Sequence, residues 1–194
     1  MSLAEMKSVA RDEAKTLRSS VYRRISAQTS VKINDYLVDF IKNKAGFEVI
    51  AVYLPIQTEI DIRPIVPKLR QLGKVLCLPV IVADNKPLQF NIWHSNSTLV
   101  EKKFRVLVPT STEIVEPDLI LCPLLRFDLN GYRLGYGGGF YDRTIDNLAK
   151  KKSIFSLGCA YSEQISKKML PIGKFDKPMN AVVTENGLTF FNGL

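Results

Sequence analysis

"EVIAVYLPIQTEIDIRPIVPKLRQLGKVLCLPVIV", residues 48–82, decides the fold. Two apolar runs of strand length, 48–55 and 74–82, flank the segment 60–73, whose apolar spacing and polar start are typical of a helix. Asp61 can cap the first turn of this helix. A strand, a helix and a second strand in so short a span make a βαβ unit. Such a unit implies a parallel sheet covered by helices.

The same alternation continues on both sides of this unit. Upstream, apolar residues at three- and four-residue spacing predict helices at 1–25 and 31–44, the second capped by Thr29 or Ser30. Downstream, the patterns predict strands at 87–93, 103–110, 117–127 and 153–161, a helix at 140–152, and hairpins at Asn130–Gly131 and Asn186–Gly187. We therefore predict one three-layer α/β/α domain, residues 1–194, with a mainly parallel central sheet.

The first helix carries basic residues, Lys7, Arg11, Lys15 and Arg18, opposite its apolar side, and the whole chain has a net charge of +8. A basic balance favours either nucleic-acid binding or a site for a smaller polyanion such as ATP or a polyglutamate. No RNA- or DNA-binding signature accompanies it. A solvated helix face is a third interpretation of the basic side.

The cysteines and the N-terminus indicate the compartment. The three cysteines, Cys77, Cys122 and Cys159, are odd in number and lie in apolar runs, which predicts reduced, buried thiols. Residues 1–18 mix acids with bases and lack the apolar segment of a secretory signal. No apolar run approaches the ~20 residues that span a bilayer. We expect a cytoplasmic protein without a membrane partner.

"RLGYGGGFYDR", residues 133–143, follows a buried strand and a hairpin and precedes a helix. The N-terminus of a helix favours an anion, and glycines let the backbone approach phosphate oxygens. Arg133 and Arg143 add forked donors, and Asp142 adds a hard oxygen ligand for the magnesium that accompanies a nucleotide. Walker A is excluded because no lysine follows the glycines, and Phe140 excludes G-x-G-x-x-G. A tight strand-to-helix crossing without a ligand is the alternative.

Four segments together resemble the 5-formyltetrahydrofolate cyclo-ligase (methenyltetrahydrofolate synthetase) family. They are KTLR (15–18), YLPIQTEID (53–61), PDLILCPLLRFDLNGYRLGYGGGFYDR (117–143) and KFDKPMNAVVTENG (174–187), in the family's order. The resemblance implies an enzyme that uses ATP and Mg²⁺ to convert 5-formyltetrahydrofolate into 5,10-methenyltetrahydrofolate, releasing ADP and phosphate. It implies that the formyl oxygen is phosphorylated before the ring closes. The folate substrate, with or without a polyglutamate tail, and ATP are then the partners of an expected monomer.

The resemblance also assigns site residues by position. The implied ATP contacts are Lys15, Arg18, Arg133, Leu134, Gly135, Tyr136, Gly137, Gly138, Gly139, Phe140 and Tyr141. The implied folate contacts are Leu54, Glu59, Tyr136, Gly137, Gly138, Gly139 and Phe140. The implied magnesium ligands are Asp142 and Asp176, and the implied catalytic residues are Arg133, Tyr141 and Arg143. The chain departs from the family pattern at four positions. Phe140 replaces the usual tyrosine, Phe175 and Asn180 stand where many relatives have histidine and aspartate, and Gly138 stands where some have lysine.

Two other functions compete with this hypothesis. A basic RNA-binding module predicts binding to RNA that weakens steeply with salt. A relative that keeps the ATP site but acts on another substrate, or only binds folate, predicts nucleotide binding without formation of the methenyl product. The single histidine, His94, lies in a polar stretch and is interpreted as a loop residue. Phosphoryl transfer suits such a chain, since it depends on alignment and charge stabilisation more than on a protein nucleophile.

Overall fold

The structure, a computed structural model, describes residues 1–102 and 106–191. Within them the helices are α1 (Leu3–Arg24), α2 (Ala27–Asn43), α3 (Ile65–Gln71) and α4 (Phe140–Ala149), with a 3-10 helix at Ser162–Gln164. The strands are β1 (Val49–Ala51), β2 (Val75–Val80), β3 (Gln89–Ile92), β4 (Leu99–Glu101), β5 (Leu107–Pro109), β6 (Leu119–Pro123), β7 (Arg126–Asp128), β8 (Arg133–Leu134), β9 (Phe155–Cys159), β10 (Ile165–Ser166), β11 (Ala181–Thr184) and β12 (Gly187–Phe190).

Seven strands form the central sheet, in the order β12-β11-β9-β6-β1-β2-β3. The five inner strands pair in parallel, while β3 and β12 pair antiparallel at the two edges. The predicted, mainly parallel sheet is therefore confirmed. Two small sheets, β10-β7-β8 and β4-β5, lie outside it.

Alternating side chains of the inner strands face two separate apolar clusters. Ile50 belongs to the cluster that includes residues of α1, α2 and α3, whereas its neighbour Ala51 belongs to the cluster that includes Ile145 and Leu148 of α4. Successive residues of a strand point to opposite faces of the sheet, so the helices cover both faces. The three-layer α/β/α prediction is confirmed.

Several predicted boundaries are wrong. The run 117–127 is two strands, because the carbonyls after β6 accept hydrogen bonds from side chains, Arg18 and Gln164 at Leu124, instead of continuing the sheet. Helix α3 begins with Pro64 as its N-cap, since the carboxylate of Asp61 bonds Arg63 within the loop.

Two further boundaries differ at helix α2 and strand β5. Helix α2 begins at Ala27, with Ser26 rather than Thr29 or Ser30 at its N-cap. The strand predicted at 103–110 is described only as β5, and its residues 103–105 lie outside the described residues. Both predicted hairpins are present, β7–β8 through Gly131 and β11–β12 before Gly187.

The order of the inner strands reverses at β1. Strand β1 has β2 on one side and β6 on the other, and β9 and β11 follow β6 outward. In open α/β sheets a crevice forms at such a reversal, outside the carboxyl ends of the strands, and ligands bind there. The chain that leaves β1 and the chain that leaves β6 therefore border the place where a ligand is expected.

The cysteines are free and buried within the apolar clusters, as predicted. Burial raises the pKa of the Cys122 thiol to about 12, and it raises the pKa of Cys77 and Cys159 further. Such thiols are unreactive. Among the described residues, no helix has the length and apolar character to cross a membrane.

Candidate active site

A cavity of about 220 Å³ lies beside residues 135–139, here called the glycine stretch, and next to Pro123 at the end of β6. Its lining residues come from four parts of the chain: α1, the end of β6, the stretch 133–142 and the loop that carries Asp176. They are Lys7, Arg11, Pro123, Arg133, Leu134, Gly135, Tyr136, Gly137, Gly138, Gly139, Phe140, Tyr141, Asp142 and Asp176. The glycine stretch thus faces open space at the carboxyl end of β6, where the strand order predicts a ligand.

Two of the three consecutive glycines have left-handed backbone conformations. Gly137 has φ +106° and Gly139 has φ +64°, so alanine would be strained at both positions. Gly139 is the N-cap of α4, and it has no side chain with which to bond the free N–H groups of the first turn. These N–H groups remain available to an anion in the cavity.

An ion pair joins Arg133 and Asp142 at the wall of the cavity. Nη2 of Arg133 donates to Oδ1 of Asp142 over 2.9 Å, and Nη1 donates to the carbonyl of Lys177. The side chain of Arg133 is 4% exposed, so its orientation is held by these partners. Oδ1 of Asp142 also accepts the backbone N–H of Lys177. The predicted phosphate-binding and metal-binding residues are therefore direct neighbours.

Helix α1 turns Lys7, Arg11 and Arg18 of its basic side toward the protein, whereas Lys15 is exposed. Lys7 donates to Asp176 over 2.5 Å, and Nε of Arg11 donates to the carbonyl of Gly135. A Cβ on Gly137 would lie 3.1 Å from Cζ of Arg11, which places that guanidinium directly against the glycine stretch. The apolar residues of the N-terminal half, such as Leu3 and Val9, are instead exposed.

Of the two residues predicted on α1, neither lines the cavity. Lys15 is exposed and pairs with Asp12. Arg18 is 2% exposed, so the interpretation of this residue as part of a solvated helix face is wrong. Lys7 and Arg11 are the residues that the sequence prediction of the site missed. Their spacing was the available signal, because positions 7, 11 and 18 share one side of a helix.

The carboxylates of Asp142 and Asp176 line the same cavity. Each has a cationic neighbour, Arg133 for Asp142 and Lys7 for Asp176. Among the described residues, three or more metal-ligating side chains do not cluster anywhere. Magnesium, however, is usually held by one or two carboxylates, with phosphates and water completing its coordination. Asp142 and Asp176 can therefore provide two ligands to a magnesium ion whose other ligands are phosphates and water.

Arg143 lies behind the glycine stretch and outside the cavity lining. Its Nη2 donates to the carbonyl of Gly138 over 2.6 Å, and its Nε donates to the carbonyl of Lys86. The guanidinium also lies over the ring of Phe140, 5.3 Å from the centroid. These contacts hold the backbone of the glycine stretch against the loop before β3.

A second cluster of polar side chains, around Arg18, lies where the chains leaving β1 and β6 meet. Buried Arg18 contacts Thr58, the Leu124 carbonyl and the hydroxyl of Tyr136, and its Nη1 is 3.9 Å from Oε1 of Glu59. The Tyr136 hydroxyl is also 3.3 Å from Oε1 of Gln57. The loop that carries Glu59 and the glycine stretch are thus joined through α1.

Glu59 is buried, and burial raises its pKa to about 7. The backbone N–H of Ile56, which donates to Oε2, and the charge of Arg18 act in the opposite direction. Leu54, on the same segment, is half-buried against the larger apolar cluster. Two of the predicted folate-contacting residues, Leu54 and Glu59, therefore lie on one segment that leaves β1, and the others belong to the stretch 136–140.

Tyr141 lines the cavity, and Tyr53 is buried close to it. Burial raises the pKa of both phenols well above the usual value, with the Cys122 or Cys159 sulfur adding to the effect. Both therefore remain protonated near neutral pH. The Tyr53 hydroxyl donates to the carbonyl of Ile60. His94, the predicted loop residue, is exposed between β3 and β4, beside Glu113.

The sequence model of the 5-formyltetrahydrofolate cyclo-ligase family matches residues 4–185 of this chain. The chain belongs to the 5-formyltetrahydrofolate cyclo-ligase family. The cyclo-ligase of Escherichia coli strain K12 is 38% identical over 143 residues, which cover 70% of this chain and 76% of that protein. The Haemophilus influenzae cyclo-ligase is 28% identical over 175 residues, 87% of this chain and 92% of its own length.

Solved structures agree with this assignment. The NMR structure of 5,10-methenyltetrahydrofolate synthetase from Aquifex aeolicus has a TM-score of 0.73 at 26% identity, covering 95% of this chain and 94% of that one. The synthetase from Mycoplasma pneumoniae, 23% identical, shares the fold with a TM-score of 0.67 over 89% of this chain and 98% of its own. The chain is therefore an enzyme of the cyclo-ligase family.

Proposed function

We propose that this cyclo-ligase converts 5-formyltetrahydrofolate into 5,10-methenyltetrahydrofolate with the consumption of ATP and Mg²⁺, releasing ADP and phosphate. The observation that carries the proposal is the cavity that the glycine stretch shares with two basic side chains of α1 and two carboxylates. Backbone donors, cations and paired carboxylates in one cavity are the elements that phosphoryl transfer from a magnesium nucleotide requires.

The phosphates bind at the start of α4. The backbone N–H groups that follow Gly137 and Gly139 provide donors without a side chain in the way. Lys7 and Arg11 supply positive charge from the opposite wall. Lys15, which the family motif predicts as a contact, lies one turn beyond Arg11 on the exposed side of α1.

Asp142 and Asp176 would hold the metal. When Mg²⁺ is bound, it neutralises charge on the β- and γ-phosphates. Asp142 stays oriented by Arg133 and the N–H of Lys177, whereas Asp176 is oriented by Lys7 and the N–H of Gly173. Because neighbouring residues already orient both carboxylates, these need little rearrangement to bind a cation.

The folate binds on the side of the cavity toward β1. Glu59, with Leu54 on the same segment, faces the junction of the chains that leave β1 and β6. A carboxyl group there can bond the amino and ring N–H groups of a pterin, and the half-exposed ring of Tyr136 provides a surface between Glu59 and the glycines. A polyglutamate tail would extend outward into solvent.

The reaction has two steps. The formyl oxygen attacks the γ-phosphorus while the bond to ADP breaks, which leaves the formyl carbon activated by a phosphate group. The ten-position nitrogen then attacks that carbon, loses its proton, and phosphate departs. Arg133 stabilises charge on the transferring group, and protonated Tyr141 serves as a donor beneath it. Arg143 keeps the glycine stretch in place through Gly138.

A single assay tests this function. The protein is mixed with 5-formyltetrahydrofolate, MgATP and buffer, and the near-ultraviolet absorbance band of the methenyl product is followed. We expect product to form in proportion to ADP, and to be lost when either ATP or Mg²⁺ is omitted. ADP release without the methenyl band would indicate another acceptor. Salt-sensitive RNA binding that ATP does not compete with would favour the nucleic-acid alternative.

A further inference from the structure

Arg18 is the largest of the fully buried side chains, although it is charged. Each of its three side-chain nitrogens has a partner on a different segment. Nε donates to Oγ1 of Thr58 over 3.1 Å, Nη1 donates to the carbonyl of Leu124 over 2.9 Å, and Nη2 donates to the hydroxyl of Tyr136. Glu59, at 3.9 Å, provides the nearest opposite charge.

These partners belong to the two halves of the site. Thr58 and Glu59 lie on the segment that follows β1, where the folate is placed. Tyr136 lies within the glycine stretch, directly before Gly137, where we place the phosphates. Arg18 lies between them, and its guanidinium is also 5.5 Å from the centroid of the Tyr136 ring. One side chain of α1 therefore touches both halves directly.

The contacts form a closed ring. Arg18 bonds the Tyr136 hydroxyl, this hydroxyl lies 3.3 Å from Gln57 Oε1, and Gln57 adjoins Thr58, which bonds Arg18 again. Gln57 has φ +53°, a left-handed conformation that is uncommon for a residue with a side chain. Such strain persists only where surrounding contacts determine the backbone. The closed ring of contacts among Arg18, Tyr136 and Thr58 supplies them at Gln57.

We propose that Arg18 is a positioning residue that couples the two substrates, so that folate binding on the segment after β1 strengthens nucleotide binding on the glycine stretch. The inference rests on the proposed function. A planar guanidinium can hold three partners in fixed directions, which the single ammonium group of lysine cannot do. Coupling is reciprocal, so the nucleotide strengthens folate binding by the same factor.

Calorimetric titration measures the coupling. A non-hydrolysable ATP analogue with Mg²⁺ is titrated into the protein alone and into the protein saturated with 5-formyltetrahydrofolate, and the ratio of the two Kd values is taken. We expect a ratio of at least about fivefold in the unchanged protein. Arg18→Lys and Tyr136→Phe should each lower it below about twofold. Arg24→Lys, an exposed ion-pair residue on the same helix, should leave it unchanged.

The variants separate positioning from structure. If Arg18 only stabilised the fold, its replacement would lower the Tm and leave the ratio intact. Tyr136→Phe removes one hydroxyl from a half-exposed ring, so it keeps the test decisive if Arg18→Lys does not fold. A ratio near one in the unchanged protein, or one that Tyr136→Phe leaves unaltered, overturns the inference. Failure of the unchanged protein to bind either ligand overturns the proposed function, and this inference with it.

Discussion

Arg133 and Asp142 form an ion pair of 2.9 Å that joins β8 to the first turn of α4 across the glycine stretch. The pair lines the cavity, and Asp142 also accepts the N–H of Lys177 from the loop after Asp176. The carboxylate of Asp142 is thus held by Arg133, which precedes it along the chain, and by Lys177, which follows it. Its position is determined before any ligand arrives, as a preorganised site requires.

Asp142→Asn should reduce magnesium-dependent turnover at least about tenfold while the Tm falls by no more than a few degrees. The amide keeps one oxygen that can accept from Arg133 and Lys177, but it lacks the negative charge that a cation requires. Turnover is measured across a magnesium titration. Asp146→Asn, one turn further along α4, half-buried beside Lys150 and Lys177 and outside the cavity lining, is the matched control and should behave as the unchanged protein. Equal magnesium curves for the two variants would limit Asp142 to a structural role.

Lys7→Met should raise the KM for ATP by about tenfold, whereas Lys15→Met should change it less than about twofold. The reason is position, because Lys7 lines the cavity and Lys15 pairs with Asp12 on the exposed side of α1. Initial rates at saturating folate measure both constants. The reverse ranking would show that the family motif KTLR, rather than the cavity geometry, identifies the phosphate contacts.

This difference on α1 shows where sequence reasoning was sufficient and where it was not. The alternation of strands and helices and the glycine stretch predicted the layers and a site before α4. The apolar spacing of α1 predicted the helix itself, yet Leu3 and Val9 on its apolar side are exposed. Hydrophobic periodicity describes helices whose partners are apolar. Helix α1 does pack Val21 into the larger apolar cluster. Its basic residues, however, face carbonyls and a carboxylate, at Gly135, Leu124 and Asp176, that are distant in sequence.

The contacts of Arg18 illustrate the same limit. Its partners are 40, 106 and 118 positions away along the chain. No local pattern identifies such partners, because the strand order of the sheet brings them together. Local rules are more informative at the glycines, because glycine is the residue type that adopts positive φ most readily, and Gly137 and Gly139 both do so.

Glu59→Gln should raise the KM for folate and leave the Kd of the nucleotide analogue nearly unchanged. The carboxylate lies at the junction of the chains that leave β1 and β6, outside the lining of the cavity that we propose binds the phosphates. Hydrogen bonds to a charged group are stronger than those to a neutral amide. Steady-state rates and calorimetry provide the two measurements. Unchanged folate kinetics would place Glu59 in a purely structural role.

The same residue should make stability depend on pH. Burial raises the pKa of Glu59 to about 7, whereas a glutamate in an unfolded chain titrates at ~4.3. Between these values the folded state binds more protons than the unfolded state, so the contribution of Glu59 to stability falls as pH rises. Between about pH 5 and pH 8, the Tm of the unchanged protein should fall relative to that of Glu59→Gln. Parallel Tm curves for the two proteins would contradict this expectation.

The glycines should differ among themselves in their tolerance of a side chain. Gly137 and Gly139 require positive φ, which alanine adopts only at a cost of ~1–2 kcal/mol. Alanine at either position should reduce turnover at least about tenfold. Gly138 has an ordinary φ, but a Cβ there would lie 2.5 Å from the ring of Phe140, so this ring must turn aside. We expect Gly138→Ala to be the mildest of the three. Thermal unfolding with and without ATP provides the control: if the Gly137 and Gly139 variants melt normally and gain the full stabilisation by ATP, the glycines do not bind phosphate.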